Sequence, residues 1–175
     1  LPFELLGDCQ RFNKKTILAA VRLLQQKMPI SSQAIADGLA HVVELTGLKG
    51  RWQKLGDSPL IIADTGHNEA GIRLIVNQLS RLTYKTLRMV MGVVNDKDVH
   101  AMLSLLPKDA TYYFTNAAIP RALPASELQE LAKNYDLIGK NYPSVQEALL
   151  AAKNEASNDD VIFVGGSNFI VAEVV

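Results

Sequence analysis

The sequence predicts an open, mostly parallel α/β sheet with helices on both faces. Short apolar runs at 60–63, 87–94, 110–115 and 160–164 alternate with segments of helical spacing, the pattern that parallel strands and crossover helices leave. Several of these runs end on polar clusters just where the next helix begins. In a parallel sheet that place is the exposed carboxyl rim, where helix N-termini present free N–H groups. The clearest case is 59–77, PLIIADTGHNEAGIRLIVN: an apolar run ends on Asp64, a Gly-containing turn delivers His67 and Asn68, and helical spacing follows.

Taken in order, residues 1–7 read as a short strand or its remnant. Asn13 is positioned to cap a helix whose one-sided stripe is Ile17, Leu18, Val21 and Leu24 with Gln25, ending at Met28-Pro29. Ser31 or Ser32 starts a second helix with Ile35, Leu39, Val42 and Val43 on its buried side, closed by Thr46-Gly47. Two helices and a strand edge bury little alone, so 1–46 reads as the tail of a preceding domain. Residues 47–58 read as linker and extended lead-in, and 59–175 as a separate domain. Within the lead-in, 51–55 is extended and 56–59 a turn.

Strand 60–63 leads to helix 70–82, with Ile72, Ile75, Val76 and Leu79 inward. Strand 87–94 leads to helix 98–106, which ends before Pro107, and strand 110–115 follows. Ser126 opens a helix to about 134, then comes a short strand at 136–139. Ser144 with Glu147 three residues on forms a capping box for the next helix. A fifth strand, 160–164, turns into a final helix over 168–175. Right-handed crossovers gather all strand exits on one rim, a Rossmann-like layout.

Composition narrows the function classes. The 175 residues carry 18 basic and 18 acidic side chains with no dense basic run, so nucleic acid and anionic membranes are not expected partners. A hydrophobic fraction of 48% permits a real core. Cys9 is the single cysteine, which rules out an internal disulfide. His41, His67 and His100 lie far apart and form no metal motif. His41 and His100 read as ordinary helix or surface residues, and Cys9 as a small buried or semi-buried one. No apolar run approaches the ~20 residues of a membrane helix, and the first residues do not lead one to expect a signal peptide. The start Leu1-Pro2-Phe3 carries the expectation of a piece from a larger protein.

If the strands are parallel, the rim gathers Asp64, His67 and Asn68, then 95–98 (NDKD), then Thr115 and Asn116 with Arg121 nearby, and finally Gly165-Gly166-Ser167-Asn168. Arg51 can reach it from the linker. Asp64 can accept from ribose hydroxyls or hold a cation-bound water; the plainer alternative is that Asp64 or Asn68 caps the helix. His67 can donate to a phosphate or orient Asp64. Lys97 can neutralise a carboxylate or phosphate, or simply pair with Asp96 and Asp98 on the surface. Arg121 is an anion clamp or a surface residue. Arg51, between Gly50 and Trp52, is well placed for a bidentate phosphate contact. The turn at 165–167 can bind an anion with its N–H groups, or serve only as a tight turn. The sequence has no G-x-x-x-x-G-K-[ST] loop, no G-x-G-x-x-G and no nucleophile elbow around Ser167. Such a rim is a half-site that needs a partner surface.

At this point GRWQ at 50–53, DTGHN at 64–68, NDKD at 95–98 and the closing VIFVGGSNFIVAEV are recognisable, with LLGDCQRFN at 5–13 upstream. In this order they resemble the C-terminal part of folylpolyglutamate synthase/dihydrofolate synthase, in the ATP-dependent Mur ligase superfamily. The likeness covers essentially the whole chain. The sequence departs from the family pattern at Thr65-Gly66, usually Gly-Ala; at Glu69, where proline is common; and at Asn168 after Gly-Ser. Glu69 falls in the first helical turn, where a carboxylate is electrostatically acceptable.

The resemblance implies an acyl-phosphate reaction: ATP phosphorylates the carboxylate of a pteroate or folate, and the amine of glutamate displaces phosphate to form an amide. It implies that 1–46 ends a central ATPase domain and that 59–175 is the glutamate ligase domain. ATP and Mg2+ are the implied cofactors, with the phosphate loop and metal ligands in the missing domains; no metal ligand is expected here. Glutamate and folate or pteroate are the implied substrates, and the intact protein is expected to be a cytoplasmic monomer, this piece alone inactive. Residues and resemblance together give His67, Lys97 and Asp64 as catalytic candidates. Arg51, Asp64, His67 and Asn68 are the nucleotide-contacting set, and Lys97, Ser167 and Arg121 the substrate-contacting set. The alternatives are a Mur-type cell-wall peptide ligase, a non-catalytic nucleotide-binding α/β module, and an autonomous dinucleotide oxidoreductase, which the missing glycine fingerprint disfavours.

Overall fold

In the computed structural model, which describes residues 1–95 and 98–175, six strands form one sheet. In chain order they are β1 (Gln53–Asp57), β2 (Leu60–Asp64), β3 (Leu87–Met91), β4 (Thr111–Phe114), β5 (Gly139–Asn141) and β6 (Val161–Gly165). Their spatial order is β1-β2-β6-β3-β4-β5. All neighbours pair in parallel except β1, which runs antiparallel to β2. The expected open, mostly parallel sheet is therefore present.

The helices are α1 (Gln10–Leu24), α2 (Ser32–Ala40), α3 (Val42–Thr46), α4 (Glu69–Leu79), α5 (Val99–Leu103), α6 (Ala125–Lys133), α7 (Val145–Glu155) and α8 (Asn168–Ala172). Strand order decides which face each crossover helix covers. The steps β2 to β3, β3 to β4 and β4 to β5 all move away from β1, whereas β5 to β6 comes back. Right-handed crossovers then put α4, α5 and α6 on one face and α7 on the other. The core agrees. Ile72, Ile75, Leu79 and Leu128 pack with Ile62, Met89 and Phe163 on one face. Val145, Ala148, Ala152 and Ile170 pack with Ile61, Val90 and Ile162 on the other. Burial on both sides is why β6 reads as a continuous apolar run, with Val161 and Phe163 facing one cluster and Ile162 and Val164 the other.

Several element expectations need correction. Residues 1–7 form no strand; instead Glu4 donates its N–H to Leu39 O at 3.0 Å and accepts the Val43 N–H on its carboxylate at 2.7 Å. α1 begins at Gln10, before Asn13, because the chain already turns at Gly7, whose carbonyl accepts the Gln10 N–H at 2.8 Å. Asn13 lies inside the helix and donates its side-chain amide to Gln10 Oε1 at 2.9 Å. The α1 stripe is not covered: Ile17 is 41% and Leu24 47% exposed. Ser31 does cap α2, accepting the Ala34 N–H, but the predicted second helix breaks at His41 into α2 and α3.

β1 continues through Asp57, past the predicted turn at Gly56, and closes a hairpin on β2 through Ser58 and a cis Pro59. β3 stops at Met91, and Val94 instead bridges Ala122. α6 starts one residue before Ser126, with Pro124 at its cap. The fourth parallel strand lies at Gly139–Asn141 rather than 136–139. Asp136 takes a left-handed turn (φ 59°), and pairing starts only at Gly139, where any Cβ would stand 2.0 Å from Tyr112 O. Ser144 caps α7 as the capping box predicts, accepting the Glu147 N–H at 3.2 Å. Among the described residues no helix is long and apolar enough to cross a membrane.

Candidate functional site at the carboxyl rim

The rim is built around the end of β2. Asp64 is 4% exposed, and its register partner on the adjacent β6 is Gly165. Carboxylate Oδ2 accepts the Trp52 N–H at 2.7 Å and Oδ1 accepts the Gly66 N–H at 2.8 Å. Hydrogen bonds to an ionised acceptor are worth about 1.5–3 kcal/mol each. A third bond, Thr65 N–H to Gly50 O at 3.0 Å, laces the same two segments together. The three residues Gly50, Arg51 and Trp52 are thus strapped across the strand end.

Trp52 pays for this with a left-handed backbone, φ 53°, uncommon for so bulky a residue. Its N–H is anchored on Asp64 and its ring packs against Phe163 at 6.5 Å. Arg51 therefore leaves the strap from a fixed backbone. Burial pushes the Asp64 carboxyl above its ordinary range; the Gly66 and Trp52 N–H groups and the Arg51 charge oppose that rise.

The N-terminal segment supplies a second wall. A Cβ on Gly7 would lie 3.4 Å from Trp52 Cβ, 3.6 Å from Cys9 Sγ and 3.7 Å from Asp64 Oδ2. Burial raises the Cys9 thiol pKa, the Asp64 charge raises it further, and Gln10 and Arg51 work against that. Buried Gln10 donates to Cys9 Sγ at 3.3 Å. Sequence reasoning took Cys9 as an isolated small residue and missed its place beside Asp64. The only signal was its position in the LLGDCQRFN run. Arg51 also faces an apolar cavity of about 600 Å³, lined by Phe3, Ile17, Val21 and Leu39 with Gln10 and Asn13.

His67 follows in the same turn as Asp64, with Nδ1 2.9 Å from Thr65 O. A carbonyl only accepts, so Nδ1 carries the proton and Nε2 of the neutral ring is an acceptor. Donation from Nε2 to a phosphate therefore requires the imidazolium form. Asn68 takes the capping alternative: its Oδ1 accepts the Gly71 N–H at 2.8 Å at the start of α4. Ser167 is also a cap, buried, with Oγ accepting the Ile170 N–H at 3.1 Å at the start of α8.

Arg121 stacks over Phe169 of α8, 4.8 Å from the ring centroid, and its carbonyl accepts the Asn95 N–H at 3.0 Å just beyond β3. Asp98 caps α5. Asp96 and Lys97, and with them the Lys97 expectation, lie outside the described residues. Arg51, Asp64 and His67 thus meet at the end of β2, with Ser167 beyond the end of neighbouring β6; Arg121 lies against α8. Among the described residues, no three His, Cys, Asp or Glu side chains gather closely enough to hold a metal ion.

Such a corner offers the Arg51 cation, carried on an anchored backbone, and an imidazole to an anionic ligand approaching the rim, while the buried Asp64 carboxylate holds the strap. A family model described as "Mur ligase, glutamate ligase domain" matches residues 50–168. The folylpolyglutamate synthase of Lacticaseibacillus casei is 30% identical over 169 residues, covering 94% of this chain and 37% of that relative. The dihydrofolate synthase/folylpolyglutamate synthase of Escherichia coli (strain K12) is 32% identical over 165 residues, covering 93% and 37%. Among solved structures, E. coli FolC in complex with DHPP and ADP is similar with a TM-score of 0.82 at 30% identity, covering 99% of this chain and 39% of that one. A bifunctional folylpolyglutamate synthase/dihydrofolate synthase with Mn, AMPPNP and L-glutamate bound gives 0.74 at 31%, covering 89% and 37%. The chain spans little more than a third of the length of these relatives.

Proposed function

Because this chain belongs to the Mur ligase family, as its glutamate ligase domain, we propose that it is the C-terminal part of an ATP-dependent ligase joining L-glutamate to dihydropteroate or a folate. ATP transfers its γ-phosphoryl group to the substrate carboxylate, releasing ADP. The glutamate amine then attacks the acyl phosphate, the amine proton leaves to a base, and phosphate departs as the amide forms. The observation that carries the reading is the Asp64 corner: a buried carboxylate bonded to the Trp52 N–H, which holds the Arg51 backbone against the strand end whose following turn carries His67.

In this reading Arg51 faces the ATP phosphates, where a fixed cation stabilises charge gathering in the transition state. Asp64 borders the ribose and holds the Arg51 strap. His67 closes the nucleotide side, with Asn68 capping the α4 that follows it; His67 and Asp64 belong to the catalytic group. Lys97 is assigned to the incoming glutamate as a catalytic and binding residue, with Ser167 and Arg121 in the same substrate-contacting set. Closure onto the upstream part of the protein excludes water that would hydrolyse the acyl phosphate. Residues 1–46 then belong to the central ATPase domain, 47–58 to the linker and 59–175 to the glutamate ligase domain. The exposed apolar side chains support that division, because among the described residues they concentrate in the first part, as at Phe12 (62%), Leu23 (65%) and Leu45 (64%), while 59–175 exposes Ile138 and Leu150. The phosphate loop and the Mg2+ ligands belong upstream, and by the same resemblance the protein works as a cytoplasmic monomer.

The test is ATP- and folate-dependent glutamate addition by the full-length protein, repeated with Asp64→Ala and Lys97→Ala. Loss of turnover in both is expected. Normal turnover in both removes the site assignments, and no glutamate addition by the unaltered protein removes the ligase reading.

A further inference from the structure

Residues 6–8 are tied to α4 by contacts that the site described above does not use. Gln78, near the end of α4, turns its amide onto the backbone on both sides of Gly7. Its Oε1 accepts the Asp8 N–H at 2.8 Å and its Nε2 donates to Leu6 O at 3.0 Å. Arg81, just beyond the helix, pairs with the Asp8 carboxylate. All three contacts join positions 70 or more residues apart in the chain. An amide that both gives and takes a hydrogen bond on adjacent backbone groups imitates the pairing between strands. Alanine offers neither bond and glutamate only one.

What is held there matters, because Gly7 borders both Trp52 and Asp64, and its carbonyl accepts the Gln10 N–H that starts α1. The clamp therefore sets how α1 meets the Asp64–Arg51 corner. Resting on the ligase reading above, we propose that Gln78 is a positioning residue for glutamate addition. It holds residues 6–8 against α4 so that the ATPase-side helix α1 and the Asp64–Arg51 strap meet in one fixed relation. The Asp8–Arg81 pair orients the same turn. Reactions that bring bound groups together are sensitive to such placement; about 1 Å of error can cost ~100-fold.

The experiment uses the full-length protein well below its melting temperature, with ATP as the varied substrate. Gln78→Ala is expected to raise KM for ATP about tenfold, which a smaller folded fraction alone does not do, and to speed hydrogen exchange at the Asp8 amide. Arg81→Asp is expected to raise KM less, and adding Asp8→Arg to restore it. Gln78→Glu, which keeps the bond to the Asp8 N–H, is expected to fall between and stands in for the alanine variant if that does not fold. An unchanged KM for ATP in Gln78→Ala, or in Gln78→Glu in its place, overturns the proposal, as does an Asp8 amide that exchanges equally fast with and without the Gln78 side chain. Failure of the unaltered protein to add glutamate is a different result and removes the ligase reading itself.

Discussion

The carboxylate of Asp64 accepts the backbone N–H of Trp52 at 2.7 Å across twelve residues of chain, and with that bond a strand end holds a left-handed tryptophan in place. The second oxygen accepts Gly66, so one side chain fixes both the strap that carries Arg51 and the turn that carries His67. Asp64→Asn leaves a single acceptor oxygen for two donors. It is expected to lower the stability of the full-length protein by about 1.5–3 kcal/mol, measured by urea unfolding. A change of a few tenths at most shows that the two backbone bonds are not what holds the strap.

Cys9 provides a second readout of the same corner. Its thiol is pushed up by burial first and by the Asp64 charge next, so little thiolate is present near neutral pH. Alkylation of Cys9 in the native protein is expected to be slow at neutral pH compared with an unstructured cysteine peptide and to climb only in more alkaline buffer. Asp64→Asn removes the neighbouring negative charge and is expected to speed it. Peptide mass spectrometry after timed iodoacetamide treatment reports the rate. An Asp64→Asn variant no faster than the native protein separates the two side chains.

The sheet was legible in the sequence because its strands are buried on both faces and read as uninterrupted apolar runs: LIIAD in β2 and VIFVG in β6. Cap chemistry was legible where one residue type does one job, as for Ser144 at α7 and Ser31 at α2. The failures came where distant parts of the chain decide. The start of α1 is set by the turn at Gly7, which is clamped by Gln78 seventy residues away, and no local spacing contains that. The register of β5 is decided by how close Gly139 must come to Tyr112 O, not by the hydrophobicity of 136–139. At the site, Asp64 and His67 lie three residues apart in one turn, so their nearness was legible, whereas the Arg51 segment is brought there by the Trp52–Asp64 bond. What the sequence could not carry was that both Asp64 oxygens are committed to backbone N–H groups, and that Cys9 lies beside them.

Gly166 occupies the turn after β6 with φ 95°, a conformation glycine adopts freely and alanine does not. A Cβ there would also stand 2.5 Å from Gly92 O, a backbone atom that cannot swing aside. Gly166→Ala is therefore expected to cost about 1–3 kcal/mol from the backbone conformation, with the steric term added. It is also expected to displace Ser167 from its capping bond to Ile170. Thermal unfolding of the full-length variant checks the first effect, and faster hydrogen exchange at the Ile170 amide checks the second. A melting temperature equal to that of the unaltered protein contradicts both.

Away from the rim, Arg88 and Asp160 form a buried ion pair at the N-terminal ends of the parallel neighbours β3 and β6, with side chains 12% and 1% exposed. Arg88 Nε donates to Asp160 Oδ2 at 3.0 Å, and its terminal nitrogens donate to Tyr113 Oη and Glu155 O, both at 2.7 Å. Burial alone would push the Asp160 carboxyl up. The N–H and hydroxyl of Ser157, together with Arg88, outweigh that and hold it below the ordinary carboxylate range. Since the folded value is depressed, the unfolded chain binds the proton first. The stabilisation is therefore complete above the ordinary carboxylate range and is lost as pH falls through it toward the depressed value. Arg88→Ala strands a buried carboxylate and is expected to cost about 3–5 kcal/mol at neutral pH. Protonation of Asp160 in acid removes the stranded charge, so the gap between variant and unaltered protein is expected to narrow as pH is lowered through that window. Denaturant unfolding of both proteins across the acid range measures it. A gap that stays constant with pH shows that the pair owes its contribution to packing of the Arg88 stem rather than to its charge.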